Sequence, residues 1–185
     1  MKQGSAEWHA ERAKRLTASD FGAALGVNPY CSPQKLWRIK VGLETVETNE
    51  HMQRGLANEQ IALLEYAVET GYWVDEVGLV VHPAHDWLAA SPDGLVGDSG
   101  LVEVKCPASI RSAPPEYHHA QVQGQLEITG RAWCDYVQWC DGLISVQRIQ
   151  RDPAWWADAL PKLREFWGYV TRLEAPPRRK PARTS

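Results

Sequence analysis

The 185-residue sequence has no run of the roughly 18 uninterrupted apolar residues that suggests a membrane span, and Met1 to Arg15 is polar and charged rather than signal-like. A membrane protein is therefore not expected, and a cytoplasmic address is. Cys-x-x-Cys pairs are also missing. The four cysteines, Cys31, Cys106, Cys134 and Cys140, are widely spaced, which disfavours zinc, and an intracellular setting disfavours disulfides. They read as buried thiols, with a four-cysteine iron–sulfur centre as the open alternative. Nor is there a basic excess: 20 Lys and Arg against 23 Asp and Glu leave a formal net charge of −3. That counts against a nucleic-acid binder. A local basic groove can nevertheless coexist with an acidic exterior, and carboxylates that hold cations are neutralised in use. No internal repeat is present.

What is there fits one globular domain of ordinary size, with 44% hydrophobic residues to build a core. Residues 1–174 read as that domain, and 175–185 as a Pro- and Arg-rich tail expected to be disordered. Trp8 to Arg15 has mixed helical character. A short helix spans Asp20 to Leu25, capped by Thr17 or Ser19, and a second starts at Pro33 and stops at Gly42. Met52, Leu56, Ile61, Leu64 and Val68 recur at near-helical spacing and predict a helix from about Thr48 to Thr70. Strand-like runs follow at 72–76, 79–82, 87–90 and 101–106, resembling an antiparallel meander. Pro114 and Pro115 open a helix that Gly130 ends. Strands at 132–139 and 144–151 flank the Asp141-Gly142 turn, and a last helix covers about 153–173 with Trp156, Leu160, Leu163, Trp167 and Val170 inward. The expected class is α+β, a mixed central sheet flanked by helices.

Ser91-Pro92-Asp93-Gly94 precedes Leu101-Val102-Glu103-Val104-Lys105-Cys106 with the spacing D-x9-E-x-K. Two carboxylates brought together by pairing strands offer hard oxygen ligands suited to Mg2+ or Mn2+. Such ions serve phosphodiester hydrolysis by activating water and by stabilising charge on phosphoryl and leaving oxygens. Glu103 and Lys105, two apart on a strand, face one side, so the ammonium can orient the attacking water or stabilise phosphate charge. A pattern this short also recurs by accident, as a turn Asp and a surface Glu/Lys pair. The apolar neighbours argue otherwise, because they make the strand a buried one.

These residues resemble the active site of the phage lambda exonuclease family, the YqaJ-like viral recombinase nucleases of the PD-(D/E)xK superfamily. The resemblance extends to Trp8, Arg12 and Thr17-Ala18-Ser19, to the turn and helix from Gly26 to Trp37, to Arg54-Gly55 with Glu59, and to Ala120-Gln121-Val122-Gln123. It implies the PD-(D/E)xK fold and two Mg2+ ions, with Mn2+ as a substitute. Asp93 would bridge the ions, Glu103 and the Val104 carbonyl would complete one site, and Glu59 would assist the second. Arg12, Ser19 and Ser91 would bind a terminal 5′-phosphate, and Gln121 would position groups beside the active site. A guanidinium fork with hydroxyl donors suits a phosphate dianion. By the residues alone, Arg15 is a substitute for Arg12, Ser19 is equally a helix cap, and Glu65 and Glu69 are solvated glutamates.

The function so implied is 5′-to-3′ digestion of duplex DNA from a phosphorylated end, leaving a 3′ single strand for phage-type recombination in a bacterial host. Double-stranded DNA ends, a single-strand annealing protein and a homotrimer that encircles DNA are the implied partners. Two alternatives stand beside it: a structure-specific or nicking endonuclease on the same fold, with or without an iron–sulfur cluster, and a non-catalytic DNA-end-binding subunit. The pairs His82/His85 and His118/His119 lack a comparable carboxylate constellation, which disfavours a metal-ligand role.

Overall fold

The computed structural model describes residues 3–45 and 50–177; the side chains of 50–52 and 56 are also outside the description. The expected tail from 178 onward, the helix start at Thr48, and the placements of Met52 and Leu56 lie outside the described residues. Helix α1 (Ala6–Ala13) leads through strand β1 (Leu16–Thr17) and a 3-10 turn (Ala18–Asp20) into α2 (Phe21–Ala24) and α3 (Pro33–Lys40). Next come α4 (Glu50–Thr70), β2 (Val74–Asp75), β3 (Val80–His82), β4 (His85–Ala90), β5 (Gly94–Val96) and β6 (Gly100–Lys105). Helix α5 (Glu116–Thr129), β7 (Trp133–Cys140), β8 (Leu143–Gln150) and α6 (Pro153–Thr171) complete the order.

The strands form two sheets rather than one meander. β1, β4 and β3 make a small sheet, and β2-β5-β6-β7-β8 make a five-stranded one. The chain changes sheet at Ser91-Pro92, between β4 and β5. Proline has no N–H to continue a ladder, so the strand ends there and the next begins at Gly94. The sequence reading took Asp93-Gly94 as a turn and missed β5. Within the larger sheet only β6 and β7 run parallel, and a parallel pair needs a crossover, which α5 supplies.

The two faces of this sheet carry different loads. Ala62 and Tyr66 of α4 pack on Val96, Val102, Val104, Val137 and Trp139. On the opposite face Val122 and Leu126 of α5 pack on Leu101, Cys134, Tyr136 and Ile149. The strand alternation therefore sends Glu103 toward α5, because Leu101 and Glu103 share a face. α4 differs from expectation. Its bulky residues Ile61, Leu64 and Val68 are 45%, 69% and 86% exposed, while the smaller Ala62 and the hydroxyl-bearing Tyr66 are buried. Tyr66 is drawn inward by the buried Asp135, to whose carboxylate its hydroxyl donates at 2.7 Å.

α5 is the central element, buried on most of its circumference and closed by Gly130 at φ 69°. It also supports a second core of Leu16, Ala18, Phe21, Leu88, Ala120, Leu163 and Phe166 that joins the small sheet to α2, α3 and α6. Trp156, Leu160 and Trp167 pack against this core as expected, only partly buried. Two glycines allow the close approach. A Cβ at Gly22 would lie 2.6 Å from Tyr117 Cβ and 2.9 Å from its Cα, and one at Gly124 would lie 2.4 Å from the Phe21 ring.

Candidate active site

The D-x9-E-x-K residues converge. β5 pairs with β6 so that Gly94 faces Val102, which brings Asp93 beside Glu103. The Val104 N–H donates to Asp93 Oδ2 at 2.7 Å, fixing that carboxylate at the mouth of the hairpin. Glu103, 2% exposed, accepts at Oε1 from Lys105 Nζ and from Gln121 Nε2, both at 2.5 Å. Its Oε2 accepts from Gln125 Nε2 at 2.6 Å. Gln125 is 1% exposed, and its own Oε1 is buried without a hydrogen-bond partner among the described residues.

Gln125 is the residue that sequence reasoning missed. A glutamine on a helix looks like surface, but 121 and 125 are four apart and so share a face. Gln123, from the same short motif, points elsewhere. Its amide donates to the Gln150 carbonyl and accepts from the Asp152 N–H, tying α5 to the start of α6.

Electrostatics follow from this crowding. Burial, then the charge of Glu103, pushes the Asp93 carboxyl well above the usual aspartate range, against the pull of Lys105. Glu59 on α4 is raised by the same two causes, so the field of Glu103 reaches it too. Burial pulls the Lys105 ammonium down, yet Glu103 and Asp93 outweigh it and hold the lysine above its ordinary value. Among the described residues, no three His, Cys, Asp or Glu side chains close into a ligand cluster. Asp93 and Glu103 remain hard oxygen donors close to each other along the Val104 backbone, with Glu59 within the same field. Burial, then the charge of Glu103, raises Asp93 and Glu59, and a divalent cation would offset both, so the donor set fits Mg2+ or Mn2+.

A second group lies on the N-terminal elements. Arg12 donates to Ser19 Oγ at 2.9 Å, and its guanidinium stacks 4.3 Å from the Trp8 ring centroid. The Trp8 indole N–H in turn donates to Ser91 Oγ at 3.0 Å. Trp8 thus joins Arg12 and Ser19 to Ser91, two residues before Asp93. Burial lowers the Arg12 guanidinium from its usual value, while Asp20 and Glu103 oppose the shift, which places Arg12 in the field of the carboxylates.

Two alternatives lose ground. Arg15 is held by Glu11 and by the Asp86 carbonyl, so it is no ready substitute for Arg12. The cap of the 3-10 turn is built by Thr17 and Asp20, whose carboxylate accepts from the Thr17 N–H and hydroxyl; Ser19 instead meets Arg12 and Thr17. Glu65 is not simply solvated, since it accepts from the Trp139 indole at 2.7 Å, whereas Glu69 is exposed. The cysteines are free thiols spread over different packing groups, with Cys31 beside the core of α2 and α6 and with Cys106 and Cys134 against opposite faces of the large sheet. That separation removes the basis for a four-thiolate cluster.

Residues 7–132 match the model of the YqaJ-like viral recombinase domain. An uncharacterized protein of Acanthamoeba polyphaga mimivirus is 32% identical over 159 residues, covering 74% of this chain and 29% of that protein. The uncharacterized protein YqaJ of Bacillus subtilis is 28% identical over 134 residues, covering 67% of this chain and 42% of that protein. The chain thus matches less than half the length of these curated relatives. An alkaline exonuclease from Laribacter hongkongensis superposes with a TM-score of 0.82 at 35% identity, covering 91% of this chain and 94% of that one. The same exonuclease in complex with dAMP gives 0.82 at 34% identity, with the same coverage of both chains. A phage-related exonuclease from Haemophilus somnus shares the fold, with a TM-score of 0.70 at 13% identity over 86% of this chain and 94% of that one.

Proposed function

The chain belongs to the YqaJ-like viral recombinase family, and we propose that it is a nuclease that digests duplex DNA in the 5′-to-3′ direction from a 5′-phosphorylated end, using Mg2+. The observation that carries the reading is the buried Glu103 carboxylate, gripped by Lys105, Gln121 and Gln125 beside an Asp93 that burial and the Glu103 charge push upward. A fold has no structural reason to concentrate these groups, because burying them costs stability unless a ligand is bound.

Asp93, Glu103 and the Val104 carbonyl would hold the cations, two per site, with Glu59 assisting. Bound there, they would polarise the phosphoryl group and supply hydroxide at neutral pH. Gln121 and Gln125 fix the plane of Glu103, and Lys105 orients the water and offsets charge on the phosphate. Arg12, Ser19 and Ser91 bind the terminal phosphate, with Trp8 aligning the three. The dAMP seen with the Laribacter exonuclease is a deoxynucleoside monophosphate, the class of product that stepwise digestion releases.

The 3′ strand left behind would serve an annealing protein, and a trimeric ring around DNA would explain how a chain of net charge −3 stays on its substrate. No helix among the described residues is long and apolar enough to cross a membrane. The direct test is Mg2+-dependent digestion of a duplex labelled separately at each end, with 5′-phosphate, 5′-hydroxyl and closed-circular substrates. Loss of the 5′ label first, from the phosphorylated end, is expected. Cutting of the circle at a similar rate would sink the exonuclease reading.

A further inference from the structure

His118 begins the stripe that α5 turns toward the catalytic strand. Positions 118, 121 and 125 lie on one helix face, and the second and third both donate to Glu103. The His118 ring is fixed on two sides. Its Nδ1 lies 2.7 Å from the Tyr136 hydroxyl, and the Tyr117 ring packs against it edge-on with centroids 4.3 Å apart. Tyr136, 1% exposed, stands opposite Glu103 in the β6–β7 register.

Proton placement follows from the partners. Among the described residues the Tyr136 hydroxyl has no other hydrogen-bond partner, and a buried hydroxyl hydrogen needs an acceptor. Neutral imidazole provides one at Nδ1 only when its own proton sits on Nε2. Burial, reinforced by Lys105 and Arg111, pushes His118 down to about 3, so the ring is neutral at physiological pH. Nε2–H has no hydrogen-bond partner among the described residues, and the residue is partly open to solvent.

We propose that His118, held by Tyr136 as the Nε2–H tautomer, is a further catalytic residue that donates a hydrogen bond to a non-bridging phosphoryl oxygen of the DNA strand in the site. The inference rests on the nuclease reading. Lys105 already supplies positive charge. A second cation would compete with the divalent ions for Glu103, whereas a neutral donor adds direction without that competition. No proton is transferred; the hydrogen bond strengthens as charge develops on the phosphoryl oxygen.

Two readouts test this on the full chain. Histidine-ring 15N NMR should show His118 as the Nε2–H tautomer, and Tyr136→Phe should weaken that preference. For turnover on end-labelled duplex, His118→Gln places an amide near the Nε2 position, while His118→Asn reaches only as far as Nδ1. His118→Leu and His118→Asn should lose roughly ten- to a hundred-fold in kcat, the range of a hydrogen bond to a charged group, and His118→Gln should run several-fold faster than both. An Nδ1–H tautomer, or equal rates for the glutamine and asparagine variants, would overturn the role of His118 alone. A wild-type chain that leaves DNA intact would overturn the nuclease reading with it.

Discussion

Glu103 accepts hydrogen bonds from three side chains, and the donors divide between two jobs. Gln121 and Gln125 are neutral and orient the carboxylate; Lys105 is charged and partly exposed, so among the three it is the one that can bring positive charge to a substrate. Lys105→Ala should therefore lower kcat on the order of a hundred- to a thousand-fold while leaving end binding in Ca2+ nearly unchanged, as read by fluorescence anisotropy. Arg12→Ala should act differently, reducing the preference for a 5′-phosphate over a 5′-hydroxyl by roughly ten- to a hundred-fold; competition between the two ends measures it. His118 links the site to pH. Its folded pKa, about 3, lies below the ordinary value of 6.5, so the unfolded chain binds more protons between those values and stability falls as pH drops through that window. Urea midpoints from pH 7 to 3 should fall more steeply for the wild-type chain than for His118→Leu. Glu103 and Lys105 stood out as chemistry because charge inside an apolar run needs a reason, Asp93 stood out by its spacing from them, and Gln121 came only through the family resemblance. Gln125 was not legible, because nothing in a neutral helical residue announces burial.

Elements carry the site through close packing. Gly22 and Gly124 let α2 and the 3-10 turn press against α5, which aligns Ser19 on one side with Gln121 and Gln125 on the other. Gly22→Ala would drive a methyl into the Tyr117 backbone, which cannot move aside as a flexible side chain would. The expected cost is about 1–3 kcal/mol, read as a lower urea midpoint, together with a loss of turnover larger than the unfolded fraction explains. Helices and turns were readable here because proline, glycine and capping residues mark them locally. The sheets were less so: β1 is two residues long and exists through pairing with the distant β4, while β5 hides behind a turn signal although it pairs with its hairpin neighbour β6. In α4 the reading was inverted, since bulk pointed to Ile61, Leu64 and Val68 while the sheet took Ala62 and Tyr66.

At the scale of the whole molecule, the carboxylate cluster leaves the cation-free protein short of its full stability. Mg2+ that binds only the folded chain should stabilise it by about 2.7 kcal/mol at a hundred times Kd, or roughly 5–10 °C in Tm for a chain of this size. Differential scanning fluorimetry in Mg2+ and in EDTA measures the shift. Asp93→Asn should abolish it without lowering the metal-free midpoint, because burial and Glu103 already oppose a charge there. The overall class, a mixed sheet between helices, was legible from element order, since a helix separates the motif strand from the last strand pair. The division into two sheets was not, because it turns on a proline that ends one ladder.

The parallel pairing of β6 with β7 also sets when the protein becomes active during synthesis. Asp93, Glu103 and Lys105 leave the ribosome as one hairpin, before the helix that bears Gln121 and Gln125 and before the strand that bears Tyr136. Glu103 meets its partners only after the intervening chain has folded back across the sheet. A truncated or stalled product ending before Glu116 would carry the acidic motif without Gln121, Gln125 and Tyr136, and under the proposed function such a fragment should leave DNA intact.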